Sequence, residues 1–494
     1  MSRVADIHHA TLRPGKVELV QRWIGAQRWY AAKGTTPALT TVGSFRFVDP
    51  DGQVGIETLL VRDGDAASSD SVIYQVPLTY RGAPLAGADR ALVGTMDHSV
   101  LGPRWVYDAT HDPAYASELL RTIVAGDTEA ARSDGVVSVT VRGDGTHPDA
   151  APVLRSAHVL TGEQSNTSII LSVDDPTGLV PRDVIVKVFR VVAPGDNPDV
   201  TVQAALAEAD PGLVPDPVGS LRGSWPSGTG DRVEGHLAAA QVFVPGVRDA
   251  WRVAIEVCRA DRDFSVTARV LGETTARIHR SLAARFGTTP ATGDAKRVVM
   301  RSVRSRFVAA VAEVPALAVH AAAVEAAMSR LSALDWPDLQ RVHGDFHLGQ
   351  VLYVDPSHVL VIDFEGEPLR PLTERTAPDL ALRDVAGMLR SFDYVAGTVT
   401  AELPGARRDE WARACQRAFL EGYHAIAGTG ATDIPVTQAL ELDKALYEVV
   451  YEARNRPAWL PIPHAAVERL VATVSSPEPA TVFSATLATP AAPE

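Results

Sequence analysis

Arg341-Val342-His343-Gly344-Asp345-Phe346-His347-Leu348-Gly349-Gln350-Val351-Leu352, followed by Val361-Ile362-Asp363-Phe364-Glu365-Gly366-Glu367, is the stretch that decides the fold. Two apolar runs lead up to acids that lie about twenty residues apart, an arrangement that brings two carboxylates near one point. Between them stands an amide, Gln350, five residues after Asp345. These are the parts of a protein-kinase-like phosphotransferase. One Asp orients and deprotonates an attacking hydroxyl, while an amide and a second Asp hold Mg²⁺ on the nucleotide phosphates. The kinase loop reads H-R-D-x-x-x-x-N with D-F-G downstream. Here the acid-to-amide spacing is kept, and Asp363-Phe364-Glu365 stands where D-F-G would. Two solvated Asp residues at strand ends are the competing reading, and the matching order and spacing argue against it.

Composition narrows the class. A chain of 494 residues exceeds one ordinary core, so two or three domains are expected. No run of eighteen apolar residues occurs, so no membrane span is expected. Met1-Ser2-Arg3-Val4-Ala5-Asp6 lacks an apolar core of the signal-peptide kind, so no secretory signal is expected. The only cysteines, Cys258 and Cys415, are far apart in sequence, which suits a reducing cytoplasm and argues against a disulfide or zinc site. A net charge of −13 argues against nucleic acid and favours an enzyme with a small ligand.

The patterning predicts an α+β, bilobal protein-kinase-like fold with an additional N-terminal α/β domain. Residues 1–110 alternate apolar and polar in short runs, such as Ser71 to Val76, after an amphipathic segment from Lys16 to Arg28. Residues 111–156 form a linking segment, and 157–247 a β-rich ATP-binding lobe. From 248 to 475 the helical period dominates, with the catalytic segments embedded. The tail, 476–494, is rich in Pro, Ala, Thr and Ser and is expected to be disordered.

A bilobal kinase needs a strand lysine for the nucleotide phosphates. Lys187, alternating with apolar residues in Val184 to Phe189, is the candidate; an edge-strand lysine facing water is the alternative. Upstream, Gln164, Ser165, Asn166 and Thr167 lie in a small-residue turn that could cradle phosphate with backbone N–H groups. Gln241 to Pro245 sits where an inter-lobe hinge belongs, with the backbone near Val244 meeting the adenine.

These residues resemble the aminoglycoside-phosphotransferase and choline-kinase superfamily, and within it the actinobacterial maltokinases. Arg28-Trp29-Tyr30-Ala31-Ala32-Lys33-Gly34 looks like the signature of the maltokinase cap. Gly162 to Ser168, Lys187 to Arg190, Asn197-Pro198-Asp199, His343 to Leu352 and Ile362 to Pro368 are similar to further family motifs, as is Glu441 to Pro461 to the substrate-side helix. The family pattern carries Glu two residues after the Asp of Asn-Pro-Asp. This chain has Thr201, which leaves Asp199 and Glu208 as the nearest acids for Lys187. The resemblance implies ATP- and Mg²⁺-dependent phosphorylation of maltose at its anomeric hydroxyl, feeding α-glucan synthesis. A sibling kinase acting on glucosamine or an aminoglycoside is the rival. Some members are fused to trehalose synthase, so association with that enzyme through the cap is a further implication; monomer and homodimer both stay open.

The resemblance also distributes roles. Asp345 is the catalytic residue, Gln350 and Asp363 the metal ligands. Lys444, Tyr447, Glu448, Tyr451, Glu452 and Arg454 crowd onto helical spacings suited to a sugar, with Trp459 beyond them. Tyr447 and Tyr451 also suit an ordinary core, and Trp459 a turn anchor. His347 is either a structural hydrogen-bonder or a sugar contact, and His343 a brace for the loop. His279 reads as a satisfied core histidine, and Arg383-Asp384 as a buried pair behind the catalytic loop. Glu365 and Glu367 flank the metal Asp.

Overall fold

The computed structural model describes residues 11–64, 71–126, 139–161, 165–228, 230–366, 372–403, 408–428, 430 and 433–475. The expected turn residues Gly162 to Gln164, the acid Glu367 and the tail 476–494 lie outside them. The chain divides into two compact units, one of Met1–Ala207, Val214–Pro245 and Pro368–Leu372, the other of Glu208–Leu213, Gly246–Glu367 and Thr373–Glu494.

The first unit holds two antiparallel sheets. Its cap sheet contains β1 (Leu12–Arg13), β2 (Leu39–Val48), β3 (Gly55–Asp63), β4 (Val72–Arg81), β5 (Leu92–His98) and β6 (Gly102–Asp108), in the order β1-β5-β6-β4-β3-β2. The second sheet runs in the order β7-β12-β13-β10-β9-β8. Its strands are β7 (Thr140–Gly143), β8 (Val153–Val159), β9 (Asn166–Asp174), β10 (Asp183–Phe189), β12 (Pro217–Pro226) and β13 (Arg232–Val242). A short strand, β11 (Val191–Val192), continues the chain out of β10 and pairs with β4, so the two sheets are joined directly behind Lys187.

Period-2 alternation lets the cap sheet feed two cores. Leu59 and Val61 pack with Leu19, Val20, Ile24, Trp29 and Tyr30, which belong to α1 (Lys16–Ile24) and the turn after it. Leu60, on the other face, joins a larger core with Leu119 and Ile123 of α2 (Pro113–Ala125) and Val184, Val186 and Val188 of β10. The segment after residue 110 therefore supplies the helix that packs between the two sheets. A further helix, α3 (Pro198–Ala209), follows β11.

In the second unit helices dominate: α4 (Ala250–Arg259), α5 (Ser265–Phe286), α6 (Gly293–Glu313), α7 (Ala321–Ala333), α8 (Leu372–Arg375), α9 (Leu382–Glu402), α10 (Asp409–Ala427), α11 (Asp433–Asn455) and α12 (Pro461–Ser475). Two small antiparallel sheets are set among them. One has the order β14-β17-β18, from β14 (Arg248–Asp249), β17 (Val351–Asp355) and β18 (His358–Val361). The other joins β15 (Thr288–Thr289), β16 (Leu339–Gln340) and β19 (Asp379–Leu380). A 3₁₀ turn at Pro315–His320 precedes α7, as Pro315 favours a helix start. Cys258 and Cys415 are buried free thiols. Among the described residues no helix is long and apolar enough to cross a membrane.

Candidate active site

The β17–β18 hairpin brings the amide and the second acid together. Val351 pairs with Val361, so the residues just outside the hairpin, Gln350 and Ile362, are neighbours, and the Ile362 N–H donates to the Gln350 carbonyl at 3.0 Å. One residue further, Gln350 Nε2 donates to Asp363 Oδ2 at 3.0 Å. Asp363 has φ +68°, a left-handed conformation that it shares, among described non-glycine residues, with Asp261. Such backbone costs about 1–3 kcal/mol and is held by its surroundings, here by the hairpin and the buried Phe364.

Asp384, at the start of α9, braces the catalytic loop. It accepts from the His343 N–H at 2.8 Å and from the Gly344 N–H at 3.0 Å, while His279 Nε2 lies 3.0 Å away. Tyr423 in turn bonds His279 Nδ1. The expected Arg383–Asp384 pair is not formed, because consecutive helix residues point about 100° apart. Arg383 turns instead to Asp379 and Asp443. Burial raises the Asp384 carboxyl, but its donors more than compensate and hold it below the ordinary value. Across the loop, His343 Nε2 lies 3.0 Å from the Ile362 carbonyl, and its ring packs on Phe346 and Phe364. His343 thereby ties the Asp345 segment to the Asp363 segment.

Two glycines are needed here. Gly344 has φ +86°. Gly387 lies where a Cβ would come within 2.6 Å of the Phe346 carbonyl oxygen, so only a bare α9 backbone approaches the loop this closely.

Asp345 opens onto a cavity of about 660 Å³, wholly within the second unit. Lys444, Tyr447, Glu448 and Tyr451 of α11 form one wall, Ser391 and Tyr394 of α9 another, and Trp251 and Arg252 of α4 a third. Lys444 Nζ lies 3.5 Å from Asp345 Oδ1. The Tyr447 and Tyr451 rings stack at 6.3 Å and are each partly exposed, so they are not core aromatics. Trp459 lines the cavity with Arg456 against its face, 4.7 Å from the ring centre. His347 lies on the wall with Nδ1 accepting from the Gly349 N–H. Burial lowers its affinity for a proton, so the neutral ring carries its hydrogen on Nε2.

The carboxylates of the wall are balanced one by one. Asp249 pairs with Arg252, Asp345 with Lys444, and Glu452 with Arg456. Glu448 receives two bonds from the buried Arg390, at 2.9 and 2.8 Å. Burial pushes the Glu448 carboxyl up, and Arg390 opposes that rise. Tyr394, raised by burial and by Glu448 and Glu452, keeps its proton and donates to Glu452 at 3.0 Å.

Arg454, expected among the sugar contacts, is not on this wall. The outer side of α11 carries its guanidinium to Glu313 on α6 at 2.7 Å. Arg456 takes its place, beyond the helix end, where the chain folds back through the turn at Pro457–Trp459. Asp249, Trp251, Arg252, Ser391 and Tyr394 were not anticipated, whereas Glu452, expected on this helix, does line the cavity. Asp249 carried one legible sign, an Asp one residue before an apolar-periodic run, and it does cap α4 by accepting from the Arg252 N–H.

The first unit carries the residues expected on the nucleotide side. β10 is an interior strand between β9 and β13, with Lys187 opposite Ser168 and Ala239, which removes the edge-strand alternative. Lys187 Nζ meets Asp199 Oδ2 at 2.8 Å, so Asp199 is the acid that Thr201 left in doubt. The N-terminus of α3 is set by the Asn197 N–H donating to His236 Nδ1, and by Asn197 Oδ1 accepting from the Asp199 N–H. Burial and Arg222 lower His236 to about 4, so it stays a neutral acceptor. Ser165 is exposed and Asn166 begins β9. Thr167 is buried and its hydroxyl accepts from Arg190 Nε at 2.8 Å, so that side chain serves the strand rather than a ligand. Val244 is half-buried just past β13.

Residues 23–112 match the family described as the maltokinase N-terminal cap domain. A glucosamine kinase of Streptacidiphilus jiangxiensis is 32% identical over 355 residues, covering 66% of this chain and 78% of that protein. A glucosamine kinase of Mycolicibacterium smegmatis is 34% identical over 154 residues, 30% of this chain and 38% of that one. The solved structure of a glucosamine kinase in complex with glucosamine, ADP and inorganic phosphate superposes with a TM-score of 0.62 at 25% identity, covering 92% of this chain and 99% of that one.

Proposed function

Since this chain belongs to the family of cap-bearing, kinase-like sugar phosphotransferases, we propose that it is an ATP-dependent maltokinase, transferring the γ-phosphoryl group to the anomeric hydroxyl of maltose. The carrying observation is the charge balance of the cavity. Each wall carboxylate already has a cationic partner, so an ammonium sugar would have to displace one, whereas a neutral sugar would not. The rings of Tyr394, Tyr447, Tyr451, Trp251 and Trp459 suit the C–H faces of a neutral disaccharide. Glucosamine is the second reading, supported by the names of the relatives.

In the maltose reading Asp345 accepts the proton of the sugar O1 as that oxygen bonds to the γ-phosphorus. The bond from phosphorus to the β,γ-bridging oxygen breaks, and ADP leaves with the electron pair. Lys444 holds Asp345 in position, which matters because the transition state is loose and alignment contributes more than basicity. The neutral His347 offers Nε2–H as a donor to a sugar oxygen. Lys187, held by Asp199, supplies positive charge to the α- and β-phosphates.

Mg²⁺ fits the donor set: the Asp363 carboxylate and the Gln350 side-chain oxygen are hard ligands set side by side by the bond from Gln350 Nε2. When bound there it would neutralise charge on the β- and γ-oxygens. We infer a cytoplasmic setting from the two free thiols. The test is ADP release measured side by side with maltose, glucose, glucosamine and kanamycin. The highest kcat/KM is expected for maltose, and a preference for glucosamine would overturn the acceptor assignment while leaving phosphoryl transfer standing.

A further inference from the structure

Arg28 and Trp29 of the cap touch the nucleotide-side strands at two points. Arg28 Nη2 donates to the carbonyl oxygen of Asn166 at 3.2 Å. Asn166 is the first residue of β9 and lies opposite Phe189, two residues along the ladder from the Ser168–Lys187 pair. Trp29, 4% exposed, lies beneath the guanidinium of Arg190, whose central carbon is 4.7 Å from the ring centre. Arg190 follows β10 immediately and is fully buried.

Its bonds radiate from this one corner. Nε donates to the Thr167 hydroxyl, and Nη2 donates to Asp108 Oδ2 at 2.6 Å and to the Thr110 hydroxyl at 3.1 Å. Nη1 has no hydrogen-bond partner among the described residues, which leaves the indole face as a contact that compensates the buried charge. A third tie comes from β4. The buried Gln75 donates from Nε2 to the carbonyls of Phe189 and Leu237, and its N–H donates to the Arg190 carbonyl at 2.8 Å.

The ends of β9 and β10, which carry the residues proposed to meet the nucleotide, are thus clamped by the cap rather than by their own sheet alone. We infer that Arg28 and Trp29 are positioning residues for nucleotide binding: the cap fixes the Asn166–Ser168 segment and the Lys187 strand in register, and so sets affinity for ATP. This rests on the kinase reading given above but not on which sugar is the acceptor. An arginine-to-carbonyl bond and a cation–π contact are each worth enough to matter, and neither involves a sugar-side residue.

Arg28 is exposed, so its replacement spares the core, whereas truncating the buried Trp29 would risk unfolding the cap. The experiment therefore compares Arg28→Ala with Arg28→Lys, and adds Trp29→Phe, using the full chain. ADP affinity is measured by calorimetry, KM for ATP and for the sugar by steady-state kinetics, and folding by thermal melting. Arg28→Ala is expected to weaken ADP binding and raise KM for ATP by about three- to tenfold, with KM for the sugar within about twofold. Arg28→Lys, which keeps a charged donor, restores most of the loss, and Trp29→Phe falls between. Unchanged ADP affinity in a normally melting Arg28→Ala protein overturns the inference, as does equal weakening toward both substrates. Failure of the unaltered protein to bind ADP would instead sink the kinase reading, and this one with it.

Discussion

At the scale of single residues, the proposed reaction assigns the chemistry to Asp345, and its neighbours decide whether it can act. Asp345→Asn keeps the shape but removes the proton acceptor and the charge facing Lys444. We expect kcat to fall by about a thousandfold with thermal melting within about 2 °C of the unaltered protein. Near-normal turnover would remove Asp345 from its role. The juxtaposition of Gln350 and Asp363 was legible because spacing along a hairpin is a local property, and the chain alone dictates which residues flank a turn. Asp384 was half legible. Its place behind the loop was expected, yet its partners, the His343 and Gly344 N–H groups, lie about forty residues away and no local pattern specifies them. Arg454 and Arg456 differ by two positions, and only the fold-back after α11 determines that the second faces the cavity. The Lys187 partner was undecided between Asp199 and Glu208 because strand-to-helix docking sets that distance, and sequence separation does not.

At the scale of elements, α9, α11 and α12 are held together by buried charge instead of apolar packing alone. Arg390 on α9 meets Glu448 on α11 and Asp393 one turn along, and Arg469 on α12 reaches Asp393 and Glu441. Glu441 is the weak point of this set. Burial raises it to about 7, against the lowering by Arg469 and Arg390, with Asp393 adding to the rise. A carboxyl with its folded pKa raised holds a proton that the unfolded chain has already lost. Its contribution to stability is therefore complete below about pH 4.5 and is lost as pH rises through about 7. Glu441→Gln keeps the neutral form at every pH. Relative to the unaltered protein, this variant should gain on the order of 2 kcal/mol between pH 5 and pH 8, read by denaturant unfolding. A pH-independent difference would contradict the buried, proton-holding state of Glu441. None of this set was visible in the helical periodicity, since charged residues at these spacings look the same on a solvated face and in a buried one.

At the scale of the whole molecule, the chain assigns separate tasks to its two units. The first joins the cap sheet to the nucleotide-side sheet through β4, β11 and a shared core around α2. The second holds Asp345, the Gln350–Asp363 pair and the aromatic cavity among its helices and the β17–β18 hairpin. The order of a β-rich part before a helical one was readable from the switch between period-2 and helical patterning, and the cap from the signature at Arg28 to Gly34. The continuity of cap and β10 was not, because it depends on two-residue strands and on one buried glutamine, Gln75. The acceptor is the claim on which the functional account turns, and the product tests it most directly. The protein is incubated with ATP, Mg²⁺ and maltose, and the product is read by phosphorus NMR with proton coupling. The account predicts ADP together with a phosphate monoester whose phosphorus couples to the anomeric proton of the disaccharide. A phosphate coupled to other sugar protons, or no product from maltose where glucosamine is phosphorylated, would contradict it.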